Sequence, residues 1–212
     1  MIYHVVNKSI AEFVIFNNSD EFSRMLLAIR YYQIAKQSLS LSQFTRLNEV
    51  KKNFRNAIHK IACKNDKLVE IIAYCLMPTH LHLTLKELKD NGISKFMNDV
   101  LNSYTRYFNL KHKRKGPLWE GGSKKILIET DEQLFYVTSY IHLNPVTSYL
   151  VDKPEEWPYS SYKEYLQEIS DKEKICDYSS VLDINPSSYK KYVESNISYQ
   201  RELAKMKKLT LE

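Results

Sequence analysis

The sequence predicts an α+β domain built on largely antiparallel strands, and three observations point there. Short apolar runs of strand length alternate with longer stretches whose apolar residues recur at helical spacing. Two of the strand-like runs, 68–76 and 80–86, are separated only by a break at Pro78, which makes a hairpin. The other strand candidates stand apart between helices, so the order of elements fits one sheet with helices on one side.

Taken in order, Tyr3 to Val6 and Phe13 to Phe16 read as short strands around a polar turn at Asn7-Lys8-Ser9. Asn18, Ser19 and Asp20 offer N-caps for a helix whose apolar residues are Phe22, Met25, Leu26 and Ile29. Residues 37–48, rich in Ser, Gln and Thr, read as a loop, and Val50, Phe54, Ile58 and Ile61 as a second helix. The run 68–76 is apolar except for Glu70, hence a strand buried on both faces. After the hairpin, Ile93, Met97, Val100, Leu101 and Tyr104 repeat at helical spacing towards Leu110. Residues 125–129 form another strand. Thr130 and Gln133 then have the spacing of a capping box and open a helix. Pro145 is expected to close it, because the residue before a proline is pushed out of helical geometry. Beyond Val151 come Pro154, Trp157-Pro158, a Tyr/Ser-rich segment and a basic helix from about Tyr189 to Lys208. Residues 1–150 therefore read as the main domain and 151–212 as a C-terminal extension.

At 212 residues with 43% hydrophobic content, the chain has material for one core. No apolar run is long enough to span a bilayer and the N-terminus lacks the pattern of a secretion signal, so the expectation is a cytoplasmic protein with no membrane partner. Cys63, Cys75 and Cys176 have neither zinc-site nor disulfide-framework spacing, which suits a reducing compartment.

The net charge is +6, and its distribution is more telling than its size. Arg106, Lys111, Lys113, Arg114, Lys115, Lys124 and Lys125 fall in one segment opposed only by Glu120, an excess equal to that of the whole chain. Tyr104, Tyr107, Phe108 and Trp119 are interleaved with them, as are Gly116, Gly121 and Gly122. Cations for phosphates, aromatic rings for bases and glycines for close approach make a nucleic-acid surface. A solvated helix end with a basic loop has the same composition, and charge alone does not choose between them.

The run Met77-Pro-Thr-His-Leu-His-Leu-Thr-Leu85 carries the chemistry. Strand side chains alternate, so His80, His82 and Thr84 share one face while Leu81, Leu83 and Leu85 share the other. Two imidazoles side by side on a rigid strand make a seat for a divalent metal. In the helix opened by Thr130, Leu134, Val137 and Ile141 form the buried stripe, and Gln133, Tyr136, Tyr140 and Asn144 a neighbouring face. Tyr140 and Asn144, four apart, address the same point. Taken alone, such a pair reads first as a half-buried tyrosine and a helix C-cap. His4, His59 and His112 read as incidental, and His142 as pointing to a different helix face. Tyr104 and Tyr107 sit in a helical run suited to packing or stacking, and Trp157-Pro-Tyr-Ser-Ser161 reads first as packing.

Tyr74-Cys-Leu-Met-Pro-Thr-His-Leu-His-Leu resembles the His-hydrophobic-His signature of the single-tyrosine transposases. The opening Tyr3-His-Val-Val-Asn-Lys, Gly116-Pro-Leu-Trp-Glu-Gly-Gly, Tyr140-Ile-His-Leu-Asn-Pro-Val and Trp157-Pro-Tyr-Ser-Ser161 resemble its REP-associated branch, in the expected order over nearly the first 165 residues. Gly122 and Ser123 depart from it, standing where that branch carries an arginine and a bulky aromatic. The resemblance implies a ferredoxin-like central antiparallel sheet and a divalent-metal (Mg2+ or Mn2+) endonuclease acting on single-stranded or hairpin DNA. It places His80 and His82 as metal ligands, Tyr140 as nucleophile and Asn144 at the position of a third ligand. Relatives work as dimers or monomers, and the sequence leaves that open.

Attack by Tyr140 would then give a 5′-phosphotyrosine and a free 3′-hydroxyl, keeping the bond energy for strand transfer. A phenol with a pKa of about 10 needs help to ionise, for which Lys124 or Lys125 is a candidate. Two other classes stay open: a domesticated DNA- or RNA-binding protein that no longer cuts, and a metallohydrolase using water.

Overall fold

The computed structural model describes residues 1–62, 66–171 and 173–209, so Cys63 lies outside the described residues. In chain order the elements are β1 (Ile2–Lys8), α1 (Ser19–Tyr32), α2 (Leu41–Phe44), α3 (Asn48–Lys52), α4 (Phe54–Ala62), β2 (Val69–Met77), β3 (His80–Glu87), α5 (Gly92–Lys111), β4 (Lys124–Ile128), α6 (Asp131–Thr147), α7 (Tyr162–Tyr165), α8 (Pro186–Ser195) and α9 (Ile197–Leu209). The strands form one antiparallel sheet in the order β2-β3-β1-β4. Each helical crossover skips a strand: β3 lies between β1 and β2, and β1 between β3 and β4. That is the split β-α-β arrangement of a ferredoxin-like fold, with further helices at the C-terminus, as expected.

The hairpin sets the two faces. Leu81, Leu83 and Leu85 are fully buried with Val5 against α1 and α5, whose Phe22, Met25, Ile29, Phe96, Met97 and Val100 complete the main core. Gly92 opens α5 where a Cβ would come 2.5 Å from the Leu68 carbonyl oxygen, so only glycine lets helix and strand approach this closely. The opposite face of the hairpin carries α6, with Ile141 packed on Cys75 and Met77. Helices therefore cover both faces, not one as expected. The reason lies in β2, which is buried nearly throughout and has apolar residues on each side to cover.

Five other local expectations are corrected. The single helix expected from about Tyr189 to Lys208 is two, α8 and α9, divided at Asn196. Residues 13–16 are no strand: β1 runs on through Asn7 and Lys8, paired with Leu81 and His80, and the Ile15 and Phe16 N–H groups both donate to the Pro78 carbonyl. Residues 37–48 are not all loop, since Ser40 and Gln43 form a reciprocal capping box that opens α2. The expected helix through Val50 and Phe54 is broken at Asn53, which leaves helical geometry and accepts from the Asn56 N–H to start α4. Pro145 does not end α6, which continues to Thr147. A proline there removes the N–H that the Ile141 carbonyl would accept. The Asn144 amide supplies donors instead, to the carbonyls of Tyr140 (3.1 Å) and Ile141 (3.4 Å).

The C-terminal segment closes the open edge of β2. Leu76 N–H donates to the Tyr159 carbonyl, Ser161 N–H to the Tyr74 carbonyl, and Ser160 bridges Cys75, so residues 159–161 act as a short extra strand. Trp157 Nε1 donates to the Leu76 carbonyl at 2.9 Å. Ser161 Oγ accepts the Tyr74 N–H (2.9 Å) and pairs with His142 Nε2 (2.7 Å), and His142 Nδ1 pairs with the Tyr189 hydroxyl (2.6 Å). His142 is thus a buried structural link between α6, the edge segment and α8. Around it, Tyr162, Tyr165, Leu182, Tyr189 and Val193 join Ile72, Leu134 and Leu143 in a second core.

Replacing Ser161→Ala would leave a buried backbone N–H and a buried imidazole without their shared partner. The expected cost is about 1–3 kcal/mol. It should be read as a lower urea midpoint at unchanged slope.

Candidate active site

The Pro78-Thr79 turn is held from outside the hairpin. Besides the two donors on the Pro78 carbonyl, Ser9 N–H donates to the Thr79 carbonyl at 2.8 Å. Directly opposite residues share a face of a sheet. His80 faces Met77 and Lys8, His82 faces Cys75 and Val6, and His4 faces Thr84. One face therefore carries His4, His80, His82 and Thr84.

Three imidazoles meet there. The His80 and His82 ring centroids are 5.1 Å apart at 79°, and those of His82 and His4 are 5.3 Å apart at 18°. His4 Nε2 lies 3.0 Å from His82 Nδ1, and Thr79 Oγ1 lies 3.0 Å from His80 Nδ1. Burial disfavours their charged forms: it pulls His4 and His80 down to about 4, Lys8 adding to the effect at His80. His82 falls well below its usual value through burial and then the neighbouring His80, His4 and Lys8. All three are neutral at pH 7, with a lone pair on one nitrogen each.

The helix α6 brings the phenol. Thr130 caps it by accepting the Gln133 N–H, while the Gln133 side chain accepts from Glu129 N–H, one residue earlier than an ordinary capping box. Only Glu129 and Thr130 separate β4 from α6, so the helix is locked in phase with the sheet. The Tyr140 ring stands edge-on to two imidazoles, with centroids 6.0 Å from His82 and 6.4 Å from His4. Burial, and secondarily Tyr136, raises the Tyr140 pKa, so the surrounding chain does not favour its phenolate.

Of the residues singled out in the sequence, His80, His82 and Tyr140 come together. Asn144 lies one turn beyond Tyr140, with its amide nitrogen turned back on its own helix and no hydrogen bond to the imidazoles among the described residues. Lys124 faces Val6 and so shares the imidazole face. Lys125 is on the other side, with Nζ 3.2 Å from Ser94 Oγ on α5. The site also includes His4, which sequence reasoning set aside. Its signal was the alternation of β1: Val5 faces the core, so His4 faces away from it, and antiparallel pairing with β3 turns it towards His82.

The basic segment divides in the same way. Lys111 is paired with the buried Glu21 at 3.0 Å, as is His112 at 2.7 Å. Burial would raise the Glu21 carboxyl, but hydrogen bonds from Asn17, His112 and Lys111 prevail and hold it at about 2. Arg114 donates to Asn109 Oδ1 and the Pro117 carbonyl and lies over the Phe13 ring. Trp119 packs beside Tyr104, its Nε1 donating to Thr105 Oγ1. Arg106, Lys113, Lys115 and Lys124 are exposed and without a partner among the described residues. The segment is pinned beside the imidazoles, since Glu120 N–H donates to the carbonyl of Lys8, the residue facing His80.

Among the described residues no group of three or more His, Cys, Asp or Glu is arranged to hold a metal. An open two-imidazole seat nevertheless fits the donor chemistry of a divalent ion. The Nε2 atoms of His80 and His82 have no hydrogen-bond partner among the described residues, and the Thr84 hydroxyl, buried on the same face, has none either. Neutral imidazoles suit first-row transition ions, and a site with few protein ligands leaves room for the substrate oxygens that harder ions such as manganese and magnesium prefer.

Residues 42–144 match the family model described as Transposase IS200 like. That span holds His80, His82, Tyr140 and Asn144, but not the strand of His4. Two curated relatives bear the name REP-associated tyrosine transposase, the first of them provisionally. One, from Haemophilus influenzae, is 29% identical over 143 residues, 62% of this chain and 78% of its own. The other, from Escherichia coli K12, is 29% identical over 110 residues, 51% of this chain and 62% of its own. A solved REP-associated tyrosine transposase bound to a REP hairpin superposes with a TM-score of 0.51 at 15% identity, covering 87% of this chain and 92% of that one. This last likeness supports the fold.

Buried neutral imidazoles make stability depend on pH in a definite direction. His4, His80 and His142 have native values of about 4, 4 and 3, whereas the unfolded chain protonates its histidines near 6.5. The unfolded state therefore binds more protons as the pH falls through this window, and stability falls with it. The urea midpoint should be level above pH 7 and drop steadily from 6.5 to 4. A level profile across that window would contradict the buried neutral state.

Proposed function

We propose that this chain, whose residues 42–144 match the Transposase IS200 like family model and whose curated relatives bear the name REP-associated tyrosine transposase, is a metal-dependent endonuclease and strand transferase of single-stranded, hairpin-containing DNA. The observation that carries the reading is the meeting of one phenol, Tyr140, with a neutral His80–His82 pair on one face of the sheet. The hairpin as substrate is suggested by what the solved relative holds.

His80 and His82 would hold the metal through Nε2, with Asn144 Oδ1 as third donor. When bound, the ion would offset charge on the scissile phosphate and favour the phenolate. The Tyr140 oxygen attacks phosphorus, one P–O bond forms, the bond to the 3′-oxygen breaks, and that oxygen leaves as a 3′-hydroxyl. The phenolic proton goes to solvent or to a nearby base, and the departing 3′-oxygen takes one up from the same source. One phosphoester replaces another, so the later strand transfer needs no ATP. Tyr140 is half-buried against the cluster of Cys75, Met77 and Ile141, which limits the water that could compete with a DNA hydroxyl for the intermediate. Lys124 and Lys8 are cations on this face, and Arg106, Lys113 and Lys115 would contact the phosphates flanking the site, with Lys111, Arg114, Trp119 and Lys125 more restricted by the contacts they already make.

The test is labelled hairpin DNA incubated with the protein and Mn2+, then run under denaturing conditions. A protein–DNA band is expected from the parent and none from Tyr140→Phe, which should still retard the hairpin. His82→Ala should slow adduct formation on the order of 100-fold or more, and chelation should remove it. Cleavage without a band would favour a water nucleophile, and retardation alone a binding protein. Either result overturns the proposal.

A further inference from the structure

We propose that His4 is a positioning residue of this site: its Nε2 accepts the Nδ1–H of His82 and so commits His82 Nε2 to the metal or phosphate. What His82 holds rests on the proposed function; how it is held rests on geometry alone.

The two nitrogens are 3.0 Å apart, and only one proton fits between them. If His82 donates from Nδ1, its Nε2 keeps a lone pair. If His4 donates instead, neutral His82 must carry its proton on Nε2 and cannot be a ligand there. The first arrangement is the one consistent with a ligand pair, and His80 repeats it. Its Nδ1 meets Thr79 Oγ1 at 3.0 Å, which again leaves Nε2 unengaged. Both imidazoles of the pair are thus gripped at Nδ1 and open at Nε2. A partner on the second ring nitrogen commonly fixes the tautomer and aim of a ligating histidine, and it is usually a carboxylate or a backbone carbonyl.

The choice of histidine for that task has a physical reason. Position 4 faces Thr84 in the register, so it is a diagonal neighbour of His82, a separation that a ring spans and a short side chain does not. A carboxylate would accept the same proton but place a buried negative charge where a phosphate must arrive. His4 accepts without charge. Its ring lies nearly parallel to that of His82 and edge-on to Tyr140, which fixes where both can turn.

The decisive measurement uses the metal-free full chain with 15N-labelled histidine. Two-bond 1H–15N spectra should show His82 protonated on Nδ1. In His4→Phe, which keeps a ring but no acceptor, that tautomer should give way to the Nε2-protonated form. Mn2+ affinity, measured by titration calorimetry, should drop about 10- to 100-fold. His4→Gln, whose carbonyl oxygen can accept the proton, should recover most of both, and circular dichroism should show each variant folded. An Nε2-protonated His82 in the parent overturns the proposal, as does a His4→Phe protein with unchanged tautomer and Mn2+ affinity. A parent that shows the Nδ1 tautomer yet forms no DNA adduct would count against the proposed function and not against the role of His4.

Discussion

A β-strand has two faces, and β3 gives them incompatible chemistry. Its leucines are consumed by the core beneath α1 and α5, so register cannot slip by one residue without burying imidazoles there and exposing the leucines. The other face has nothing to satisfy it except what the rest of the chain brings across. That is why α6 must lie over the sheet, and why its start matters. With two residues between β4 and the helix, Tyr140 is carried about 14 Å along the axis from the first turn, and it arrives over His82. The site is a consequence of covering an otherwise unsatisfiable strand face.

The features legible in the sequence are those decided locally. The hairpin break at Pro78, the alternation of His80 to Leu85 and the phase of α5 each depend on a few neighbouring residues. So does the start of α6 at Thr130. The pair His80–His82 and Tyr140 followed from such periodicities and from the resemblance, and the structure brings all three together.

What could not be read depends on pairing between distant segments. His4 looks incidental until β1 is placed beside β3, when alternation turns it towards His82. Lys124 and Lys125 look equivalent until β4 is paired, when one joins the imidazole face and the other reaches α5. Lys111 and Arg114 count as free cations in a composition and prove to be engaged by Glu21, Asn109 and Phe13. The failure at Pro145 is different in kind. The rule that proline ends a helix assumes that the orphaned carbonyl stays orphaned, and here the preceding asparagine supplies the missing donors.

Asn144 consequently has two claims on it. Its nitrogen is needed by the helix, because without it α6 would be expected to fray at the turn that follows Tyr140. Its side-chain oxygen takes no hydrogen bond among the described residues, which is what the proposed role as third donor requires. A longer glutamine would reach further towards the imidazoles but could not so easily fold its amide back onto the carbonyls four and three residues earlier. The shorter side chain therefore serves the rigidity of the turn that follows Tyr140. This makes sense of why an asparagine next to a proline occupies the position. The same residue that keeps the helix intact through Pro145 keeps the phenol pointed at the imidazole pair.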